Sequence, residues 1–144
     1  MRAKRIIIIF TLLIMAAVAS GGCTKRINED LREFVTSQPH DELLFGWWKR
    51  LNDDGFYTCF DDKEFKYIGA HYGNDGTLIR SESWYWYTNN GILSLRRQAT
   101  PLTGIIDSDG AYCLSEDLQT LYYIESSGEK QPIMIRCQEP PAKR

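Results

Sequence analysis

The central part of the chain consists of short runs in which side chains alternate between two faces with a period of two. Most of the aromatic residues lie between Phe45 and Tyr87, and aromatic and β-branched side chains favour pleated, half-buried strands. The run "FYTCF" at 56–60 is typical of this pattern, and "PIMIRC" at 132–137 follows it too. In "SESWYWYT" the alternation predicts a strand with Trp84 and Trp86 on one face and Tyr85 and Tyr87 on the other.

Turn residues separate these runs at short and regular intervals. Asp-Gly and Asn-Gly dipeptides supply the positive φ angles that tight hairpins need, and they occur at 54–55, 75–76, 90–91 and 109–110, with weaker turn signals at 61–62 and 127–128. No helical pattern that could serve as a parallel crossover lies between the runs. We therefore predict an all-β domain, a small antiparallel meander of about eight or nine strands that packs as a sandwich or, as we prefer, closes as a barrel. The strands are expected near 44–51, 55–60, 64–72, 77–81, 83–88, 91–98, 110–115, 118–126 and 131–138.

The first 22 residues have the layout of a secretory signal. A basic head of Arg2, Lys4 and Arg5 precedes an apolar run at 6–19, and small residues follow at 20–22. The apolar run is shorter than the roughly 20 residues that a membrane-spanning helix needs. We therefore predict that residues 1–22 are a signal peptide.

Cys23 ends the stretch "VASGGC". This stretch resembles the lipobox of bacterial lipoproteins, in which small residues precede a cysteine that receives a diacylglycerol, although Ser20 stands where that family usually has Leu. The resemblance implies lipidation of Cys23 with palmitate-type acyl chains. Thr24 at the next position implies sorting to the outer membrane, in its periplasmic or its surface-facing leaflet. The alternative is an ordinary signal-peptidase cut after Ser20.

The segment 23–42 is predicted to be the lipidated cysteine followed by a polar tether that spaces the domain from the bilayer. Three apolar residues of the tether have helical spacing, and Asn28 is a candidate N-cap for about two helical turns. Those apolar residues are Leu31, Phe34 and Val35. The predicted barrel then spans 43–138, and residues 139–144 form a tail.

Charge and cysteine content exclude several classes of function. Removal of residues 1–22 would leave 14 basic and 19 acidic residues, a net charge of about −5 at pH 7. Nucleic-acid binding needs a basic stripe, so we expect no nucleic-acid partner. The compartment is expected to be oxidising, and Cys59, Cys113 and Cys137 permit one disulfide in three possible pairings. No pair of cysteines has the spacing of zinc ligands, so no metal is expected.

The stretch "LFGWW" opens the first predicted strand. Its Gly46-Trp47-Trp48 resembles the G-x-W signature of lipocalins. In that family the tryptophan closes one end of the barrel and an arginine from the region of the last strand packs over it. The resemblance therefore implies a barrel-closing pair of Trp48 and Arg136. Over 43–138 the chain resembles the small lipocalin-like domains of Gram-negative outer-membrane lipoproteins.

The sequence favours a protein without catalytic activity. His40 lies in the tether, where we expect it to be solvated, and His71 is at the end of a predicted strand. No nucleophile or zinc-protease motif is present. The acids of "NDDGFY" at 52–57 and "DSDGAY" at 107–112 are predicted to be solvated residues of hairpin turns rather than calcium or glycosidase ligands. We expect neither an enzyme nor a cofactor.

The aromatic residues provide the candidate binding site. A closed barrel of eight strands is just wide enough to be filled by side chains or to hold one small ligand. We predict a lipid-anchored envelope protein that binds a small apolar or amphipathic ligand among Trp47, Trp48, Trp84, Tyr85, Trp86 and Tyr87. One alternative is an envelope protein-interaction or inhibitor module acting through loops 73–76, 88–91 and 126–130. The other is a surface glycan-binding module with coplanar exposed aromatics.

Overall fold

The protein is an eight-stranded antiparallel meander that closes into a barrel. The computed structural model describes residues 29–100 and 104–140. The last strand pairs with the first, so β1 is bonded to both β2 and β8. The strands are β1 (Gly46–Arg50), β2 (Phe56–Phe60), β3 (Lys66–Tyr72), β4 (Leu78–Asn89), β5 (Ile92–Thr100), β6 (Gly104–Leu114), β7 (Thr120–Ile124) and β8 (Lys130–Cys137).

The predicted all-β meander is confirmed, with two differences in its elements. The strands expected at 77–81 and 83–88 are one continuous strand, β4. The prediction of a turn at 109–110 is wrong. Asp109 and Gly110 belong to β6 and pair with Ser94 and Leu93 of β5. A Cβ on Gly110 would lie 3.1 Å from the ring of Tyr123. That glycine therefore makes room for an aromatic neighbour on β7 rather than for a turn.

The other glycine-containing turn signals join consecutive strands as expected. Gly55, Gly76, Gly91 and Gly128 all have positive φ, between 77° and 86°. At Gly55 a Cβ would also lie 2.3 Å from the carbonyl oxygen of Tyr72. Because L side chains rarely adopt this φ, glycine at these positions favours tight reversals.

The two ends of the barrel differ. Because the strands are antiparallel, β1, β3, β5 and β7 all begin at one end, which we call the closed end, and the opposite end is the mouth. A short 3-10 helix, Glu42–Leu44, leads directly into β1 at the closed end. The buried core there consists of Leu44, Trp48, Phe60, Tyr67, Trp86, Leu121 and Met134.

Trp48 and Arg136 meet at the closed end. Trp48 is fully buried, and its indole N–H donates to the Leu44 carbonyl oxygen at 2.8 Å. Arg136 is its cross-strand partner on β8, with the guanidinium carbon 4.3 Å from the centre of the Trp48 ring. The guanidinium donates hydrogen bonds to the backbone carbonyl oxygens of Leu43, Phe45 and Leu118. Arg136 thus joins the 3-10 helix, the β6–β7 turn and the barrel wall.

The described part of the predicted tether packs against the barrel. Residues 29–36 form a helix, and its Leu31 and Val35 are buried against Tyr87 on the outer face of β4. Phe34 also contacts Tyr87, with ring centres 5.7 Å apart. The expected helical spacing is therefore observed, whereas the N-cap candidate Asn28 lies outside the described residues. The spacer role predicted for the tether at 23–42 therefore does not apply to this helix.

His40 is packed rather than solvated, contrary to our expectation. Its ring stacks on Phe65 with centres 3.6 Å apart, and its Nε2–H donates to the carbonyl oxygen of Trp86 at 3.0 Å. Burial holds the pKa of this imidazole below its ordinary value. The imidazole therefore connects the N-terminal segment to the core tryptophan in its neutral form.

The buried tryptophan should contribute more to stability than its neighbour in the sequence. Trp48→Ala removes a fully buried indole and its hydrogen bond, so we expect a loss of about 3–5 kcal/mol in the free energy of unfolding. Trp47→Ala is the matched control, since Trp47 lies on the outer face and is only partly buried. Urea unfolding followed by circular dichroism measures both variants. Equal losses would contradict the assignment of Trp48 to the core.

Stability should also depend on the charge of His40. A histidine with a lowered folded-state pKa binds protons more readily when unfolded, so stability is complete above its unfolded pKa of about 6.5 and falls as pH drops below it. We expect the melting temperature to fall between pH 7.5 and pH 5, and His40→Gln to reduce this dependence. Thermal melts of both proteins across that range are the measurement. An unchanged slope in His40→Gln would exclude His40 as the cause.

Candidate functional site

The barrel interior is filled near the closed end and lined by mixed side chains near the mouth. Phe60 and Trp86 pack edge to face with ring centres 5.0 Å apart. Phe45, which immediately precedes β1, also packs on Trp86, with ring centres 5.7 Å apart. Nearer the mouth the walls border free space that is partly open to solvent, which we call the upper chamber. Two cavities belong to it, of about 300 Å³ and 450 Å³, and Ile133 lines both. Their volumes are in the range of small-molecule sites.

One wall of the upper chamber is apolar. Inward-facing residues of β5 to β8 line the smaller cavity, chiefly Leu93, Leu95, Leu121, Tyr123 and Ile133. Tyr123 owes its position to Gly110, which has no Cβ to displace the ring. The wall offers a surface for an apolar group, with the tyrosine at its edge toward the mouth.

Arg50 lines the larger cavity from β1. Its guanidinium carbon lies 4.1 Å from the centre of the Phe56 ring, and one terminal nitrogen donates to the Tyr67 hydroxyl oxygen at 2.8 Å. Thr58 donates to the same oxygen at 3.3 Å. The Nε atom of Arg50 is buried without a hydrogen-bond partner. A buried unpaired donor on a cation is costly, and an anion would satisfy it.

Arg97 is the second inward-facing arginine. It lies on β5, across the barrel from β1, and its guanidinium carbon is 4.3 Å from the centre of the Trp84 ring. Its Nε is also buried and unpaired. Among the described residues, the salt bridges are those of Lys66 with Glu64 and of Arg96 with Asp107 and Asp109. No described carboxylate therefore lies within salt-bridge distance of either interior arginine, although Asp53 lines the same cavity as Arg50.

The structure does not bring the six predicted ligand-binding aromatics to one site. Trp48 and Trp86 are fully buried in the core and cannot line an opening. Trp84 faces the upper chamber beside Arg97. Trp47 faces outward on β1, between Cys59 and Cys137. The predicted division of β4 into two faces holds, but its outward tyrosines, Tyr85 and Tyr87, contact the N-terminal helix.

The positions of the outward-facing tyrosines argue against the glycan-binding alternative. Tyr87 is buried beneath Leu31 and Val35 and is not part of an exposed aromatic patch. Tyr57 and Tyr72 form the other outward pair, and their planes are 76° apart. A sugar-stacking platform needs parallel exposed rings, which neither pair provides.

Sequence reasoning missed both interior arginines. Arg50 lies two residues after Trp48, and Arg97 lies two residues after Leu95, so the period of two places each on an inward face. That signal was available. Arginine is rarely buried without a partner, which argues against an inward position from the sequence alone.

The acids at 107–112 are part of a strand rather than of the expected turn. Asp107 and Asp109 face outward on β6 and bind Arg96, with N–O distances of 3.0 Å and 2.7 Å. The hydrogen bond from Arg96 lowers the pKa of Asp109 below its ordinary value. Arg96 also donates to the Tyr87 hydroxyl at 3.0 Å. These charges are satisfied on the outer wall.

The histidines and acids do not form a recognisable catalytic or metal centre in the described ranges. His71 lies on β3 near Phe56, with ring centres 6.1 Å apart, and His40 belongs to the opposite end. No group of three or more histidine, cysteine or acidic side chains within 29–100 and 104–140 could hold a metal ion.

The three described cysteines are free thiols. Cys59 and Cys137 both pair with Trp47, on opposite sides of β1. Two strand spacings separate them, about 9.6 Å, which exceeds the roughly 7 Å reach of a disulfide. Cys113 is on β6, paired with Tyr122, and lies two strands from β8. The expected disulfide is therefore not formed among these residues.

The thiols on either side of Trp47 should react slowly at neutral pH. Burial raises the pKa of Cys59 to about 11 and also raises that of Cys137, and only the thiolate is nucleophilic. We expect alkylation of Cys59 by iodoacetamide to be slow at pH 8 and to accelerate as the pH approaches 11. Peptide mass spectrometry after timed alkylation measures this. Rapid labelling of Cys59 at pH 7 would contradict it.

Comparison with known proteins identifies no significant match for this chain. No family model matches the sequence, and neither a curated protein nor a solved structure matches it significantly. No helix among the described residues is long and apolar enough to cross a membrane, and Cys23 with the predicted signal peptide lies outside the described residues. The upper chamber and its two arginines are therefore the basis for assigning a function.

Proposed function

We propose that this chain is a non-catalytic, lipid-anchored protein of the cell envelope whose barrel binds one small amphipathic molecule with an anionic group. The observation that carries the proposal is Arg50, a cation that lines the cavity near the mouth and whose Nε is buried and unpaired. The anionic group would bind at Arg50, and the apolar part would lie along β5 to β8.

The polar half of the site suits a carboxylate. A guanidinium presents parallel donors in a planar fork, which matches the two oxygens of a carboxylate. Tyr67 accepts bonds from Arg50 and Thr58, so its own hydroxyl proton is left to be donated to the ligand. Arg97 adds a second cation from the opposite wall. Phe56 and Trp84 hold the two guanidinium groups in place through their ring faces.

The apolar half of the site suits a short acyl or other hydrocarbon group. Leu93, Leu95 and Ile133 border a cavity of about 300 Å³, and the filled core beneath it limits the depth. Burial of apolar area is the main source of affinity for such a group, about 25 cal/mol per Å². The site therefore favours a compact amphiphile over a long-chain lipid.

The anchor is proposed from the amino terminus alone. The basic head, the apolar run at 6–19 and the lipobox-like "SGGC" support signal cleavage before Cys23 and its acylation. Several acyl chains would hold the protein stably on a membrane. By the resemblance to Gram-negative lipoproteins, Thr24 supports the outer membrane as the destination.

The protein-interaction alternative receives less support. Its three loops do not share a surface, because 73–76 and 126–130 adjoin the mouth whereas 88–91 adjoins the closed end. An envelope partner of the mouth would contact only the first two. The ligand-binding proposal instead uses a set of inward-facing residues around one chamber.

Replacement of Arg50 tests the proposal. We would express the full chain with its signal, extract it in non-ionic detergent, and titrate it with dodecanoate and with dodecanol, using native mass spectrometry to count bound molecules. One charge-assisted contact is worth about 1.5–3 kcal/mol, so we expect the acid to bind roughly 10- to 100-fold more tightly than the alcohol. Arg50→Met should remove this preference.

Lys49→Met is the matched control, because Lys49 is the outward-facing neighbour of Arg50 on the same strand. It should retain the preference for the acid. Equal binding of acid and alcohol by the unmodified chain, or an unchanged preference in Arg50→Met, would refute the site. The intact mass of the same sample reports separately whether Cys23 is acylated.

A further inference from the structure

The mouth of the barrel has one apolar side. Leu78, Ile79, Ile105 and Ile106 are exposed there, and Ile79 is 64% exposed. They belong to the beginnings of β4 and β6, on two hairpins that are neighbours around the barrel. The sequence "QATPLTGII" at 98–106 contains no charged residue. Exposed clusters of this kind mark contact surfaces.

The opposite side of the mouth is acidic. The β1–β2 connection contributes Asp53 and Asp54, and the β7–β8 turn contributes Glu125 and Glu129. All four are exposed. The mouth therefore has an exposed apolar cluster where β4 and β6 begin, with the exposed Asp75 and Arg80 beside it, and it is negatively charged around the β1–β2 and β7–β8 connections.

The barrel wall is incomplete on the apolar side. The ladder between β4 and β5 runs only from Tyr85–Arg96 to Asn89–Ile92. Residues 78–84 pair with β3 alone, and the end of β5 pairs with β6 alone. A seam therefore separates the two strands near the mouth, with Trp84 and Arg97 of the upper chamber beside it. A ligand could pass between bilayer and chamber here without crossing the acidic loops.

The described chain begins on this same side. Asp30 and Leu31 of the N-terminal helix line a groove together with Ile105 and Asp107 of β6. Five residues lie between Cys23 and Glu29, and the six Cα–Cα steps from Cys23 to Glu29 span at most about 22 Å. Acyl chains on Cys23 would thus enter the bilayer within that distance of the helix start, close to the apolar side of the mouth.

We propose that the apolar side of the mouth rests on the lipid bilayer that holds the anchor, with Leu78, Ile79, Ile105 and Ile106 in the interfacial region. The bound amphiphile is then lipid-derived and exchanges with the bilayer through the β4–β5 seam. The docking rests on the proposed anchor at Cys23 and not on the Arg50 site, whereas the exchange of a bound amphiphile also rests on the proposed ligand site. The acidic loops face away from the membrane in this orientation.

Tryptophan substitution measures the contact directly. Acylated full-length protein carrying Ile79→Trp or Ile105→Trp would be reconstituted into phosphatidylcholine vesicles with brominated acyl chains, which quench indoles at bilayer depth. Leu43→Trp is the control, because Leu43 is similarly exposed but lies at the closed end. The four native tryptophans, Trp47, Trp48, Trp84 and Trp86, contribute the same background in every variant, and subtracting the unmodified protein isolates the added indole.

We expect the added fluorescence of the two mouth variants to be quenched several-fold more than that of Leu43→Trp. Equal quenching of mouth and closed-end variants, with a mass that shows acylation, would overturn the docking alone. An unacylated mass would overturn the anchor and the docking that depends on it. Thermal melts of each variant identify a substitution that disturbs the fold. Because two mouth positions are substituted independently, the docking is still tested if one of the two variants misfolds.

Discussion

The closed end of the barrel depends on Arg136. One guanidinium covers the ring of Trp48 and binds the backbone carbonyl oxygens of Leu43, Phe45 and Leu118. These groups come from the 3-10 helix, the residue before β1 and the β6–β7 turn, so a single cation joins three segments of the chain. The partner strands β1 and β8 are the first and last of the sheet. The interaction therefore stabilises the closure on which the rest of the interior depends.

Closure divides the interior into two environments. At the closed end, Trp48, Phe60 and Trp86 fill the space, and Phe60 and Trp86 pack edge to face. Nearer the mouth, Arg50 and Arg97 face the upper chamber, and its wall along β5 to β8 is mainly aliphatic. Folding does not require cations there, since apolar side chains of similar volume would fill the same space at lower desolvation cost. Their presence is best explained by a ligand, which is why the proposed function is built on them.

The N-terminal segment packs on the barrel and, in the proposed function, also connects it to the membrane. The helix at 29–36 covers Tyr87, and His40 stacks on Phe65 and binds the backbone of Trp86. Movement of the anchor would therefore be transmitted to β4, the strand that borders the seam at the mouth. The same packing removes the outward tyrosines from solvent. A rigid anchor attachment beside an apolar rim gives the proposed membrane orientation a structural basis.

Local pattern determined much of this architecture. Alternation in "FYTCF" and "SESWYWYT" and the Asn-Gly and Asp-Gly turns sufficed for the strands, their faces and most reversals, and the G-x-W resemblance led to the pair of Trp48 and Arg136. These features depend on neighbouring residues. Tertiary structure alone decided which face is enclosed, that Asp109 and Gly110 continue a strand, that the helix covers Tyr87, and that the Nε atoms of Arg50 and Arg97 are buried. The physical reason is that burial depends on the pairing of β1 with β8, between residues some ninety positions apart, which no local period encodes.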